Sequence, residues 1–290
     1  MLGRRELTRG ALATVAAALL VAGAGCRKRQ RPGGVEGPSG KLTIVGSTTL
    51  LEVSQKWAEA FEKKHPAVRV SVAGGGSGVG IKTLLNESCD VANASRKAKE
   101  KEHRAASAKG MRLHCTVVAK DGIAVIVNPA NPVTGLEMSE LKGLFQGHTK
   151  DWSRLSPGFD RDVVVINRES TSGTYGSFQE LALDKEEFMK GAKEVQSNAA
   201  VVQTVATTPG GIGYCGLGYY ENAKDKVKGL AIDGVAPSVK TVVDGSYPIS
   251  RDLNCYTNGM PDGLEIPYFD FVLGREGQKI VREMDFVPLQ

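Results

Sequence analysis

The chain has 290 residues, with 37 Lys and Arg against 32 Asp and Glu, and 35 glycines. That length can bury a full core as one large domain or two smaller lobes. The formal charge of +5 lies wholly in residues 1–40, where seven basic side chains face Glu6 and Glu36. Residues 41–290 are therefore neutral, which argues against a nucleic-acid binder, whose basic surface belongs on the fold itself.

Residues 1–25 read as an export signal. Arg4-Arg5 precede an apolar run from Ala11 to Gly25 that is too short to span a membrane as a stable anchor. The run ends Ala24-Gly25-Cys26, small residues before a cysteine, which resembles a bacterial lipoprotein processing site with Cys26 as the lipidated residue. Gly23 departs from that pattern, standing where a larger aliphatic is usual. The string from Arg4 to Arg9 also allows twin-arginine export. Residues 26–40, rich in Arg, Pro and Gly, read as a flexible tether.

From residue 41 strand and helix signals alternate. Leu42–Val45 is an apolar strand. Leu50, Val53, Trp57 and Phe61 then recur at helical spacing, and Pro66 marks the helix end. Val68–Val72 is a second strand, and Ile81, Leu84 and Leu85 open a second helix. Asp90–Ala94 is a short strand, followed by a charged helix over 97–109. Leu113–Ala119 and Ile123–Val127 read as two strands joined at Asp121-Gly122. Val163–Ile166 is a strand, with Tyr175, Phe178 and Leu181 lining the helix beyond it. This alternation predicts an α/β fold with a mostly parallel sheet. The 113–127 segment and Tyr247–Tyr256 are the candidate crossings between two lobes.

Three of the strand-to-helix joints share one grammar: Gly46-Ser47-Thr48-Thr49, Gly74-Gly75-Gly76-Ser77-Gly78 and Ser170-Thr171-Ser172-Gly173-Thr174. The first N–H groups of a helix lack internal partners, and the helix dipole adds partial positive charge there. Small hydroxyl residues and glycines let an anion approach that backbone closely. One such loop serves as a helix start; three, with Arg168 beside the third, point to an oxyanion pocket. In an open α/β sheet all three lie where ligands bind, beyond the carboxyl ends of strands.

Enzymatic motifs fail on spacing. Gly75-x4-Gly80-Ile81-Lys82-Thr83 nearly matches a phosphate-loop NTPase motif, but Ile81 rotates the lysine by about 100° around the helix. Ser77 has Val79 where a nucleophile elbow needs glycine, and Ser172 lacks both glycines. His65, His103, His114 and His148 show no ligand spacing, so no metal and no cofactor is expected. Cys89, Cys115, Cys215 and Cys255 include no C-x-x-C pair; they allow three disulfide pairings, and each also fits as a buried small hydrophobe.

The three loops, with Asp90-Val91-Ala92-Asn93-Ala94-Ser95-Arg96, Phe145-Gln146-Gly147, Asp151-Trp152-Ser153, Gly211-Ile212-Gly213-Tyr214, Asp233–Pro237 and Gly245–Arg251, resemble the phosphate-binding proteins of bacterial ABC phosphate transporters. The resemblance implies a two-lobed type 2 periplasmic-binding-protein fold with a ligand cleft between the lobes. Lobe 1 would comprise 41–123 and 249–290, and lobe 2 124–248. It implies a non-enzymatic, monomeric protein that binds inorganic phosphate outside the cytoplasmic membrane and delivers it to permease subunits, held to the membrane by a lipid. The implied phosphate ligands are Thr48, Thr49, Ser77, Arg96, Arg168, Ser172, Gly173 and Thr174. Some members of the family carry an aspartate where this chain has Arg96, and that carboxylate accepts the phosphate's own proton. Arg96 can only donate, so a narrower preference for phosphate over sulfate is expected. The alternatives are a binding protein for sulfate, molybdate or arsenate, and a secreted phosphatase on the same scaffold.

Overall fold

The computed structural model describes residues 37–289. The expected export signal, Cys26 and the tether up to Glu36 lie outside the described residues.

The chain begins with β1 (Gly40–Gly46), α1 (Leu51–Lys64), β2 (Val68–Ala73), α2 (Ser77–Leu85), β3 (Val91–Ala94), α3 (Glu100–Ala108) and β4 (Leu113–Val127). It continues through β5 (Gly135–Leu136), α4 (Met138–Phe145), β6 (Val164–Arg168), α5 (Gly173–Ala182), β7 (Lys193–Val195), α6 (Asn198–Ala206), β8 (Gly211–Gly216) and α7 (Leu217–Glu221). It closes with β9 (Lys228–Gly229), β10 (Ala231–Ile232), α8 (Val239–Val243), β11 (Ser250–Asn258), α9 (Glu265–Leu273) and α10 (Arg275–Glu283). The predicted apolar stripe of α1 is the buried one: Val53, Trp57 and Phe61 are all within 1% of full burial. The Trp57 indole N–H donates to the Gly277 carbonyl at 2.9 Å, tying α1 to α10.

The main sheet runs β2-β1-β3-β11-β4-β8-β6-β7, with β9 also on β4. Parallel pairing holds at its two ends, β2-β1-β3 and β8-β6-β7. The centre is antiparallel, because β11 runs against both β3 and β4, and β4 against β8. The sheet is thus mixed, where the sequence suggested mostly parallel.

The expected turn at Asp121-Gly122 does not exist. β4 runs uninterrupted for 15 residues, pairing with β11 as far as Gly122 and with β8 from Ile123. Asp121 faces Arg251 across the ladder and is fully buried on it, so tertiary pairing overrides the local turn signal of Asp-Gly.

Apolar packing falls into two groups on either side of this junction. Leu42, Trp57, Phe61, Val118, Leu253 and Val272 belong to one, extended by the cluster around Ile81 and Tyr256. Ile123, Phe145, Trp152, Phe178, Tyr214 and Ile249 belong to the other, extended by the cluster around Ile126 and Val201. β4 supplies residues to both groups, Val118 to the first and Ile123 to Val127 to the second, while the apolar residues of β11 belong to the first.

All four described cysteines are free thiols. Cys255 sits opposite Thr116, and Tyr256 opposite Cys115, so the neighbouring Cys115 and Cys255 point to opposite faces of the sheet. Among the described residues no helix is long and apolar enough to cross a membrane.

Candidate functional site

The three glycine- and hydroxyl-rich loops meet. Each follows the carboxyl end of a parallel strand (β1, β2 or β6) and leads into α1, α2 or α5. None of the first loop's hydroxyls is spent on capping α1, since its capping residue is Leu50, with no side-chain cap bond. In the second, Gly76 has φ +96°, and a Cβ there would lie 2.8 Å from the Thr171 carbonyl oxygen of the third loop. Only glycine permits both the backbone conformation and the approach.

The loops are joined by hydrogen bonds between the two packing groups. The Gly78 N–H donates to the Thr171 carbonyl at 2.9 Å. Thr49 Oγ1 lies 3.0 Å from Thr174 Oγ1. Ser177 Oγ donates to the Ser95 carbonyl at 2.9 Å. Around them Ser47 Oγ donates to Ser95 Oγ at 2.9 Å, and the Ser95 N–H donates to Ser77 Oγ at 3.0 Å. Ser47, Thr49, Ser77, Ser95 and Thr174 are all at most 2% exposed. Gly173 is the floor: a Cβ there would stand 2.1 Å from Ser77 Oγ and 2.4 Å from Ser95 Oγ.

Arg168, at the end of β6, is 1% exposed. Asn167 Oδ1 accepts from the Arg168 backbone N–H and from the Tyr214 hydroxyl, which fixes the strand end. The guanidinium donates to Thr48 Oγ1 at 3.1 Å, to Asn198 Oδ1 at 3.3 Å, and to the Val195 and Gln196 carbonyls at 3.3 and 2.8 Å. No carboxylate pairs with it among the described residues. Burial, and with it the positive charge of Arg251, presses its pKa below the ordinary arginine value.

The structure thus brings Thr48, Thr49, Ser77, Arg168, Gly173 and Thr174 into one cluster. Ser172 is beside it, but its Oγ caps α5 by accepting from the Tyr175 N–H at 3.2 Å. Arg96 is buried, and its Nε has no hydrogen-bond partner among the described residues. Expected to donate into the pocket, the side chain forks onto Glu102, with both Nη atoms at 2.8 Å from carboxylate oxygens, and its Nη1 also donates to the Lys97 carbonyl. Burial acts to raise the Glu102 carboxyl, but the Arg96 fork and the Lys99 N–H outweigh it and hold it below the usual range. Glu102 lies six residues downstream on α3, and that spacing was the overlooked signal. Glu169, beside Arg168, makes no ion pair among the described residues.

Four participants were not foreseen from sequence. Asn198, at the start of α6, donates to Thr49 Oγ1 at 3.2 Å while accepting from Arg168. Tyr219 on α7 donates to the Thr48 carbonyl at 2.8 Å. Arg251 and Asp121 form an ion pair at 2.7 Å with side chains 4% and 0% exposed. Burial pushes the Asp121 carboxyl up, opposed by Arg251 and by the Leu217 N–H. Only Arg251 carried a signal, as the end of the Gly245–Arg251 string.

Two hollows flank the cluster. One, about 710 Å³, is lined by Thr49, Glu52, Gln203, Tyr219 and Lys226 among others. The other, about 390 Å³, is lined by Arg96, Lys97, Lys120, Ser177 and Arg251 among others. The first reaches the cluster at Thr49, the second at Ser177 and Arg251. Buried hydroxyls, helix-start N–H groups and an unneutralised guanidinium are the donors a tetrahedral oxyanion requires. The described residues include no group of three or more His, Cys, Asp or Glu able to hold a metal ion.

Comparison with known proteins agrees with this geometry. The chain is 36% identical over 257 residues to the phosphate-binding protein PstS of Bacillus subtilis, covering 88% of this chain and 83% of that protein. It is 34% identical over 273 residues to PstS of Pseudomonas aeruginosa, covering 87% and 84%. Among solved structures it resembles a candidate phosphate ABC transporter substrate-binding protein from Clostridium perfringens with bound phosphate, at TM-score 0.79 and 29% identity over 87% of this chain and all of that one. It also resembles an ABC-type phosphate transport receptor from Vibrio cholerae, at TM-score 0.70 and 28% identity over 85% and 99%. The PBP superfamily domain matches residues 33–276, and with these relatives it follows that the chain belongs to the bacterial phosphate-binding proteins of type 2 periplasmic-binding-protein fold.

Proposed function

We propose that this protein binds inorganic phosphate outside the cytoplasmic membrane and delivers it to the permease subunits of an ABC transporter. The observation that carries the reading is Arg168: a guanidinium 1% exposed, bonded only to neutral oxygens. A buried charge without a counter-charge is costly by several kcal/mol. An oxyanion held against Thr48, Thr49, Ser77, Gly173 and Thr174 supplies that counter-charge, and the relatives' names supply phosphate. Ser172 contributes by fixing the start of α5. The lobes of this reading are 41–123 with 249–290, and 124–248. They close on the ligand as one monomer, with no chemical step.

Calorimetry with phosphate, arsenate, sulfate and molybdate tests this. Phosphate should bind, and a generic phosphate monoester should not be turned over. Binding of sulfate or molybdate in preference to phosphate would overturn the phosphate reading, and turnover would replace it with a hydrolase. Among the described residues no carboxylate bonds the hydroxyl cluster directly, so the phosphate's proton must be accepted by hydroxyls, which are weaker acceptors. Phosphate is therefore expected to be preferred over sulfate by a narrower margin than in an aspartate-bearing relative. Competition titrations at matched ionic strength decide this.

The anchor is part of the same proposal. Cys26, after the apolar run from Ala11, carries the lipid that keeps the protein at the membrane while residues 27–40 let it move. The Cys26→Ser precursor should take up no labelled fatty acid, while wild type does. Equal labelling of the two would reject Cys26 as the attachment point.

A further inference from the structure

Resting on the phosphate reading, we infer that Arg251 is a second guanidinium ligand of the bound anion, held in position by Asp121. The argument begins with a count of donors. A guanidinium has five N–H groups. Arg251 Nε donates to Asp121 Oδ2 at 3.1 Å, and Nη2 donates to the same oxygen at 2.7 Å. Nη1 donates to the Ser95 carbonyl at 3.0 Å, and Nη2 also donates to Thr49 Oγ1 at 3.4 Å. Four N–H groups are thus engaged among the described residues. The fifth, on Nη1, is spare, and the bond to Thr49 is the longest of the set. Arg168 shows the same pattern: four bonds to the protein and one Nη1 hydrogen spare.

Both arginines converge on the same short loop. Arg168 holds Thr48 directly and reaches Thr49 through Asn198, while Arg251 reaches Thr49 from the other side. Thr49 Oγ1 is therefore met by two pure donors, Asn198 Nδ2 and Arg251 Nη2, which fill its two lone pairs. Its proton must then go to Thr174 Oγ1. The Arg251 bond is the weakest of these at 3.4 Å, so an acceptor-only ligand arriving beside Thr49 can take over that N–H. The like charge of Arg251 is felt at Arg168, and an anion between them relieves that repulsion.

Asp121 explains how Arg251 can serve there while buried. The pair faces across the β4–β11 ladder, where the two strands pass from one packing group to the other. Asp121 Oδ1 accepts the Leu217 N–H at 3.0 Å from the start of α7, so both its oxygens are used. The carboxylate balances Arg251 and directs its remaining N–H groups toward Ser95 and Thr49. A fork of this kind suits guanidinium and not ammonium.

The test is phosphate calorimetry on wild type, Arg251→Lys, Arg251→Gln, Asp121→Asn and the double variant Asp121→Asn/Arg251→Gln, each with a thermal melt in the absence of phosphate. The double variant removes both buried charges together, so it tests binding without an orphaned carboxylate. Wild type should bind. The double variant and Arg251→Lys should each lose at least about thirtyfold in affinity, whatever their melting temperatures. Asp121→Asn should weaken binding when Arg251 is present and add nothing in the Arg251→Gln background, as expected if Asp121 acts on the anion only through Arg251; a purely structural pair would show its coupling in the melting temperatures and not in the affinities of the folded variants. A folded double variant, or Arg251→Lys, binding within about threefold of wild type would overturn the assignment while leaving the phosphate reading intact. Failure of wild type to bind phosphate would overturn both.

Discussion

Replacing Arg168 by alanine is expected to weaken phosphate binding by at least about thirtyfold while leaving a cooperatively folded chain. The side chain is buried, yet its four bonds go to Thr48, Asn198 and two carbonyls, none of them charged. Losing one partner of a buried, charge-assisted contact costs about 2–5 kcal/mol. That corresponds to roughly 30- to 4,000-fold in affinity. The fold should tolerate the change, because the removed charge has no carboxylate left orphaned by its loss. Arg168→Lys should recover little, since one ammonium cannot reach Thr48, Asn198 and the ligand together. Calorimetry and a circular-dichroism melt on the same sample check both halves of the statement. A folded Arg168→Ala protein binding phosphate within about threefold of wild type would show that Arg168 is not a ligand.

The second large effect is expected from a single methyl group. In Gly173→Ala the new Cβ would stand 2.1 Å from Ser77 Oγ and 2.4 Å from Ser95 Oγ, contacts that real atoms do not make. Both hydroxyls belong to elements on the far side of the cluster from α5, so the strain falls on the approach of the two sides. Overpacking of this kind costs typically about 1–3 kcal/mol. Gly173 is the first residue of α5, and alanine is the better helix former by up to about 1 kcal/mol. The variant should melt at or below the wild-type temperature without phosphate and lose at least about tenfold in affinity. Unchanged affinity would mean that Ser77 and Ser95 do not approach α5 in the bound form.

The cluster was legible in the sequence where chemistry and local geometry coincide. Small hydroxyl residues after an apolar strand and before a helix have few other uses in such density, so Thr48, Thr49, Ser77 and Thr174 stood out. Arg168 stood out because it immediately precedes one of these loops. Asn198 and Tyr219 did not, because each is an ordinary residue on an ordinary helix until the fold carries it to the first loop. The ion pair of Arg96 was missed for the converse reason. Its neighbours in sequence resemble a ligand-bearing segment, and only the return of α3 brings Glu102 within 2.8 Å to claim the guanidinium.

The strand order was the least legible part. Local patterns gave the parallel ends of the sheet, where each strand follows its neighbour after one helix. They misread the centre, because Asp121-Gly122 has the composition of a hairpin turn. What keeps it extended is a partner 130 residues away.

That late partner bears on how the chain can be exported. β11 lies between β3 and β4 in the finished sheet, and Trp57 is secured by the carbonyl of Gly277. Residues 40–122 therefore cannot complete their own sheet or cover α1 until residues beyond 249 are present. Contacts of such sequence separation form slowly. A nascent chain leaving the ribosome keeps its first half open through most of its synthesis, so an export pore that accepts only unfolded chains would have that interval in which to engage it.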